Sequence, residues 1–139
     1  MRLNKYRGIR SYDKQWIYGS LLIDKDGDFH ILEPNIIEKD GHHIQIDSDS
    51  PMFFDNETIG QFTGKYDKNK AEIYEGDKLS DEGLGFFIVR FDEKTAGFVL
   101  DLHMATVFSP EYEFEETFRF EEFENIETLE VTGNIHKRS

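Results

Sequence analysis

A mainly β fold follows from three features of the sequence. Its apolar content is rich in aromatic side chains, with thirteen Phe, six Tyr and one Trp in 139 residues, and aromatic residues favour strands. These residues fall in short runs. Gly- and Asp-containing clusters of the kind that turn a chain separate the runs.

The first strand is Trp16–Ile23, which the Asp24-Lys-Asp-Gly-Asp28 cluster turns back into Phe29–Leu32; Asp-Gly between two apolar runs signals a hairpin. Pro34 and Asn35 end that run, and Ile36, Ile37, Ile44 and Ile46 flank a polar turn at 39–43, which predicts a second short hairpin. Residues 47–51 form a loop, and residues 53–56 suit no single element. Residues 58–63 have strand composition and Gly64 closes them; residues 66–70 then make a turn. Glu72-Ile-Tyr-Glu-Gly-Asp-Lys-Leu79 opens the second half, with Gly76 and Asp77 at its entry turn. The clearest hairpin follows: residues 86–91, a reversal at 92–97, and residues 98–102 pairing back.

Residues 111–126 admit two readings. Tyr112, Phe114, Phe118 and Phe120 share a period-2 register, which argues strand, whereas Phe118, Glu121, Glu122 and Phe123 could share one face of a short helix. Residues 129–135 make the last strand. The expected organisation is an N-terminal β subdomain over residues 1–64, a sheet built on a β-hairpin, packed on a C-terminal SH3-like β-barrel subdomain over residues 65–139.

Composition narrows the function classes. The chain has no cysteine, which excludes disulfides, thiolate metal sites and cysteine nucleophiles and points to a reducing cytoplasm. No apolar run has the length of a signal peptide or a membrane span. Sixteen basic residues against twenty-nine acidic ones give a net charge of −13, which disfavours direct binding of nucleic acid or of anionic membranes. The charge is uneven. Arg2, Lys5, Arg7, Arg10 and Lys14 stand against only Asp13 near the start, whereas Glu111, Glu113, Glu115, Glu116, Glu121, Glu122, Glu124, Glu127 and Glu130 crowd the end around Arg119. That asymmetry suggests solubility with some pairing between the two ends, or alternatively a basic partner.

Three segments carry a resemblance. They are Arg10-Ser-Tyr-Asp-Lys-Gln-Trp-Ile-Tyr-Gly-Ser-Leu-Leu22, the stretch from Thr58-Ile-Gly-Gln-Phe-Thr-Gly64 through Asp67-Lys-Asn69 to Glu72-Ile-Tyr-Glu-Gly-Asp77, and Leu129-Glu-Val-Thr-Gly-Asn-Ile135. Together they resemble the YopX-like proteins of bacteriophages and prophages, with the middle segment the most specific. The resemblance implies a mostly β protein of phage or prophage origin acting in the bacterial cytoplasm, and it supplies no catalytic residues. The family's middle turn usually reads Asp-Lys-Asn-Gly, whereas Lys70 follows Asn69 here, which places Asn69 in the left-handed conformation.

No motif for chemistry emerges. His42 and His43 are neighbours on a turn, and His30, His103 and His136 are far apart, so no metal is expected. Asp24, Asp26 and Asp28 alternate as in part of a calcium loop, but Gly27 comes too early and no helices flank it, so a hairpin turn is the expected role. No nucleophile elbow, phosphate-cradling loop or cofactor fingerprint is present. The residues to watch as an interaction surface are Trp16, Gln61, Tyr74 and Asp77. Each also has a structural reading: Trp16 sealing the first sheet, Gln61 bonding backbone, Tyr74 covering the barrel mouth, and Asp77 capping the turn after Gly76. The expected function is a non-enzymatic binding or assembly module whose partner is a second copy or a host or phage protein. The alternatives are an acidic nucleic-acid mimic that inhibits a host enzyme, and a small enzyme.

Overall fold

The computed structural model describes residues 5–32, 54–80, 85–104, 111, 113–120 and 126–136. Alternating apolar residues and turn clusters generate ten strands there: β1 (Tyr6–Ile9), β2 (Trp16–Ile23), β3 (Phe29–Leu32), β4 (Gly60–Tyr66), β5 (Glu72–Tyr74), β6 (Asp77–Ser80), β7 (Gly85–Asp92), β8 (Gly97–Met104), β9 (Glu113–Arg119) and β10 (Glu130–Asn134). Short 3-10 turns occupy Asn56–Thr58 and Ile126–Thr128. The protein is therefore mainly β, and the described strands form two five-stranded sheets. The chain divides into two compact units, Met1–Phe62 and Thr63–Ser139, and β4 runs through the boundary.

In the first unit the strands lie in the order β3-β2-β1-β4. The expected hairpin is present, with β2 and β3 paired from Ser20 opposite Leu32 to Ile23 opposite Phe29. Its turn is organised by Asp24. One carboxylate oxygen accepts the N–H groups of Asp26 (2.9 Å) and Asp28 (3.0 Å), and the other accepts Nε2–H of the buried His30 (2.8 Å). The His30 contact and then the Asp28 N–H hold the Asp24 carboxyl below its ordinary value. Ile9, Ile17, Ile31, Leu32 and Phe62 are buried. Gly8 lies so close to this core that a Cβ there would stand 3.0 Å from Ile31 Cδ1 and 3.1 Å from Ile59 Cγ1.

Three cations of this unit have partners inside it. Arg10 is paired with Asp13, Lys14 with Asp55 (3.1 Å), and the Arg7 guanidinium lies 4.1 Å from the Trp16 ring centre. The hairpin expected across residues 36–46, with His42 and His43, lies outside the described residues. Two boundaries move. Thr58 belongs to a 3-10 turn, where its buried hydroxyl accepts from Ile9 N–H (2.8 Å), and β4 does not stop at Gly64. Gly64 takes φ +85°, available to it without a Cβ, and the strand continues to Tyr66.

In the second unit the sheet order is β10-β6-β7-β8-β9. The strands β6 to β9 form a meander, and β10 returns to pair with β6. The strand, hairpin and returning strand expected of an SH3-like barrel are thus present, but among the described residues no ladder joins β9 to β10 and the sheet stays open. The predicted hairpin is complete, with β7 and β8 paired from Gly85 opposite Met104 to Asp92 opposite Gly97. Its inward residues Phe87, Val89 and Leu100 pack with Ile73, Leu79, Ile126 and Leu129 into one buried cluster. Each such side chain contributes about 1.5–3 kcal/mol by leaving water.

The turn between β4 and β5 is fixed from inside by Asp67, which is 4% exposed. One of its carboxylate oxygens accepts the N–H groups of Asn69 and Ala71 (both 2.8 Å), and the other accepts Val131 N–H in β10 (3.0 Å). The left-handed residue of this turn is Lys70 (φ 65°), not Asn69. Asn69 is held by its N–H bond to Asp67, and its side-chain amide donates to Glu130 (3.2 Å), so the next residue absorbs the reversal.

Residues 113–119 form a strand, which settles the two readings of 111–126 for that part; residues 112 and 121–125 lie outside the described residues. The expected period-2 register does not survive along β9. Phe118 opposes Leu100, but the register shifts between Leu102 and His103, so that Leu102 opposes Glu116 while His103 opposes Phe114. One extra residue, Glu115, is accommodated there. A bulge of this kind reverses the face of everything beyond it. Phe118 therefore packs on Phe87 in the core, and Phe114 stands on the opposite face, 59% exposed.

Candidate functional site

The four residues singled out in the sequence divide between the two units. Trp16 opens β2 opposite Ile9, with the buried Arg7 guanidinium over its ring. Gln61 sits half-buried in β4, opposite Tyr6. Tyr74 and Asp77 come together in the second unit. Both are 1% exposed, and the Asp77 carboxylate accepts Tyr74 N–H (2.7 Å), closing the turn from Tyr74 to Asp77. The Tyr74 hydroxyl donates to Glu72 (3.1 Å). Gly76 lies between them at φ +90°; its N–H donates to Val89 O (2.8 Å) and its carbonyl accepts Ile135 N–H (3.0 Å). Tyr74 and Asp77 thus act on the fold and present almost no side chain to solvent.

The outward side chains of the second sheet form a different arrangement. Because Phe87 and Val89 point to the core, Phe86 points away from it, and the β7–β8 register puts His103 directly opposite. Their rings stack at 5.2 Å with an interplanar angle of 8°. The β9 bulge brings Phe114 to the same face, 5.8 Å from His103 and edge-on at 67°. On the other side the Lys78 ammonium lies 4.1 Å from the Phe86 ring centre. A ladder of Lys78, Phe86, His103 and Phe114 therefore crosses four strands. His103 Nδ1 lies 3.2 Å from the Asp101 carbonyl oxygen, which can only accept, so Nδ1 carries a proton.

Beside the ladder, Asp101 joins three strands. It accepts two bonds from Arg90 (2.7 and 3.2 Å) and one from the Thr117 hydroxyl (2.7 Å). Burial pushes its carboxyl up, but the bonds from Arg90 and Thr117 outweigh this and leave it below the ordinary value. β9 itself is the sheet margin, with Glu113, Glu115 and Glu116 exposed, and among the described residues no strand pairs with its outer side.

A concavity of about 390 Å³ lies at the end of β9, lined by Lys65, Phe98, Arg119 and Phe120 with Thr63 and Thr95. Thr63 Oγ1 donates to Ile73 O (2.8 Å) and Thr95 Oγ1 to Asp92 (3.0 Å), and among the described residues the lining holds no carboxylate or histidine. Among the described residues no three His, Asp or Glu side chains are grouped to hold a metal ion, and no helix is long and apolar enough to cross a membrane.

Sequence reasoning missed Phe114 as an outward residue and Asp67 as a buried anchor. Asp67 had a local signal, an Asp two residues before an Asn in a polar turn. Phe114 had none, since its direction depends on a bulge set by pairing with β8. A search of curated proteins returned no match for the chain. The family model described as YopX protein matches residues 5–139, nearly the whole sequence, and the chain belongs to that family.

Proposed function

We propose that this is a phage- or prophage-encoded, non-enzymatic binding module of the bacterial cytoplasm that engages another protein through the outward face and margin of β9. The observation that carries this reading is Phe114, a large apolar ring turned outward by a bulge and left 59% exposed beside two further stacked rings. Bulges and charges on a sheet margin ordinarily protect it from adventitious pairing. Protection does not call for a phenyl ring on the surface, whereas aromatic rings are enriched where proteins meet.

Of the two partner classes expected from the sequence, a different protein suits this margin better than a second copy. Antiparallel pairing of β9 with itself about its midpoint sets Glu116 against Glu116, and like charges directly opposite are unfavourable. The test is co-purification of the tagged full chain from its bacterial host, with the mass in solution measured in parallel. A stoichiometric partner retained by the wild type and lost by Phe114→Ala supports the reading. Recovery of no partner, or of one indifferent to Phe114→Ala, overturns it. If the partner is a nuclease or polymerase that DNA displaces, the mimic reading replaces it.

A further inference from the structure

We infer that the segment bound at β9 is an extended, basic stretch of another polypeptide, with one guanidinium group seated on the exposed Phe114 ring. The inference rests on the binding-module reading above and adds the chemistry of the partner. The face of a phenyl ring is the negative pole of its quadrupole and attracts a cation. The ladder already shows this at its other end, where Lys78 sits 4.1 Å from the centre of Phe86. His103 then covers Phe86, and Phe114 meets His103 at 67°, so that among the described residues Phe114, 59% exposed, is the outermost rung.

The charge of the strand favours the same sign. Glu113, Glu115 and Glu116 are exposed along β9 against the single cation Arg119 at its end, in a chain of net charge −13. A basic segment gains attraction there, and an acidic one is repelled. Among cations, the planar guanidinium stacks on an aromatic ring at less cost in desolvation than an ammonium. An extended backbone is implied by the site itself, because a strand at a sheet margin offers main-chain groups at strand spacing.

The experiment is an NMR titration of the ¹⁵N-labelled full chain with acetyl-Thr-Arg-Val-Arg-Val-Arg-Thr-amide and with the same peptide carrying citrulline for each arginine. The expected result has two parts. Amide shifts concentrate in residues 86–88, 101–104 and 113–119. Replacing arginine by citrulline weakens binding to the wild type by about two- to fivefold more than it weakens binding to Phe114→Ala, the size of an exposed cation–π contact. If the arginine preference is the same in both proteins, the peptide is held by bulk charge alone and the inference fails. Shifts centred away from β9, or none, also overturn it. A partner that co-purifies in a Phe114-dependent way while the arginine peptide fails this test leaves the binding-module reading standing and removes only the basic partner.

Discussion

Replacing Asp67 by Asn tests whether one buried carboxylate holds the β4–β5 turn against β10. The wild-type group accepts three main-chain N–H bonds, two on one oxygen from Asn69 and Ala71 and one on the other from Val131, at 2.8–3.0 Å. Asparagine can present its carbonyl to the first pair. Its NH₂ group then faces Val131 N–H, so two donors oppose each other. A hydrogen bond to a charged group is worth about 1.5–3 kcal/mol, and an unsatisfied buried donor costs about as much, which sets the expected loss at about 2–3 kcal/mol. For a chain of this size that lowers the urea midpoint by about 1–2 M, read by far-UV circular dichroism.

The pH dependence carries the sign. Burial raises the Asp67 carboxyl, but the N–H groups of Val131, Ala71 and Asn69 more than offset this and leave it below its ordinary value of 3.8. A depressed carboxyl contributes its full stability above the unfolded value and loses it as pH falls through the folded one. The gap between wild type and Asp67→Asn is therefore widest at neutral pH and narrows below about pH 4. A variant within about 0.5 kcal/mol of wild type at pH 7, the range of an ordinary surface change, would refute the reasoning, as would a gap that is constant with pH.

Further substitutions probe other parts of the second unit. Lys70→Gly removes a Cβ from a left-handed residue (φ 65°) and is expected to stabilise by about 0.5–1 kcal/mol after the added freedom of the unfolded chain is subtracted, measured by the same denaturation. Gly85→Ala would place a Cβ 2.9 Å from the His103 carbonyl oxygen, so it is expected to cost about 1–3 kcal/mol and to shift the His103 ring resonances. Leu100→Ala empties a fully buried position and is expected to cost about 2–5 kcal/mol. Asp101→Asn breaks the partly exposed Arg90 pair and is expected to cost about 1 kcal/mol or less at neutral pH, a difference that fades in acid because the wild-type carboxyl is depressed.

The elements legible in the sequence were those whose signals are local. The β7–β8 hairpin has inward apolar residues on both arms and a polar reversal between them, and the Asp24 turn has its own side-chain acceptor within the loop. Asp77 could be read as a cap because its partner, Tyr74 N–H, is three residues away. What escaped depends on distant chain. The second oxygen of Asp67 meets Val131, sixty-four residues later. Gly64 carries a stop signal by composition, yet β4 keeps its course beyond it to Tyr66. Period-2 counting put Phe114 and Phe118 on one face because it assumes an unbroken ladder, and the extra residue at Glu115 breaks it.

The same comparison separates the residues that define the family resemblance from those proposed to bind. Within Glu72-Ile-Tyr-Glu-Gly-Asp77, Ile73 and Tyr74 are buried, Gly76 supplies a left-handed turn, and Asp77 closes that turn from a buried position. These are requirements of the fold, and they explain why the motif is recognisable without revealing an activity. Phe114 belongs to none of the three segments that carry the resemblance. Its exposure means that truncation removes little buried area. Asp77→Ala should thus cost stability by about 1–3 kcal/mol through an orphaned Tyr74 N–H, whereas Phe114→Ala should leave the denaturation midpoint nearly unchanged and act on binding alone. If the two variants lost stability equally, the Phe114 ring would have to be part of the core packing, and the bulge would have no role in recognition.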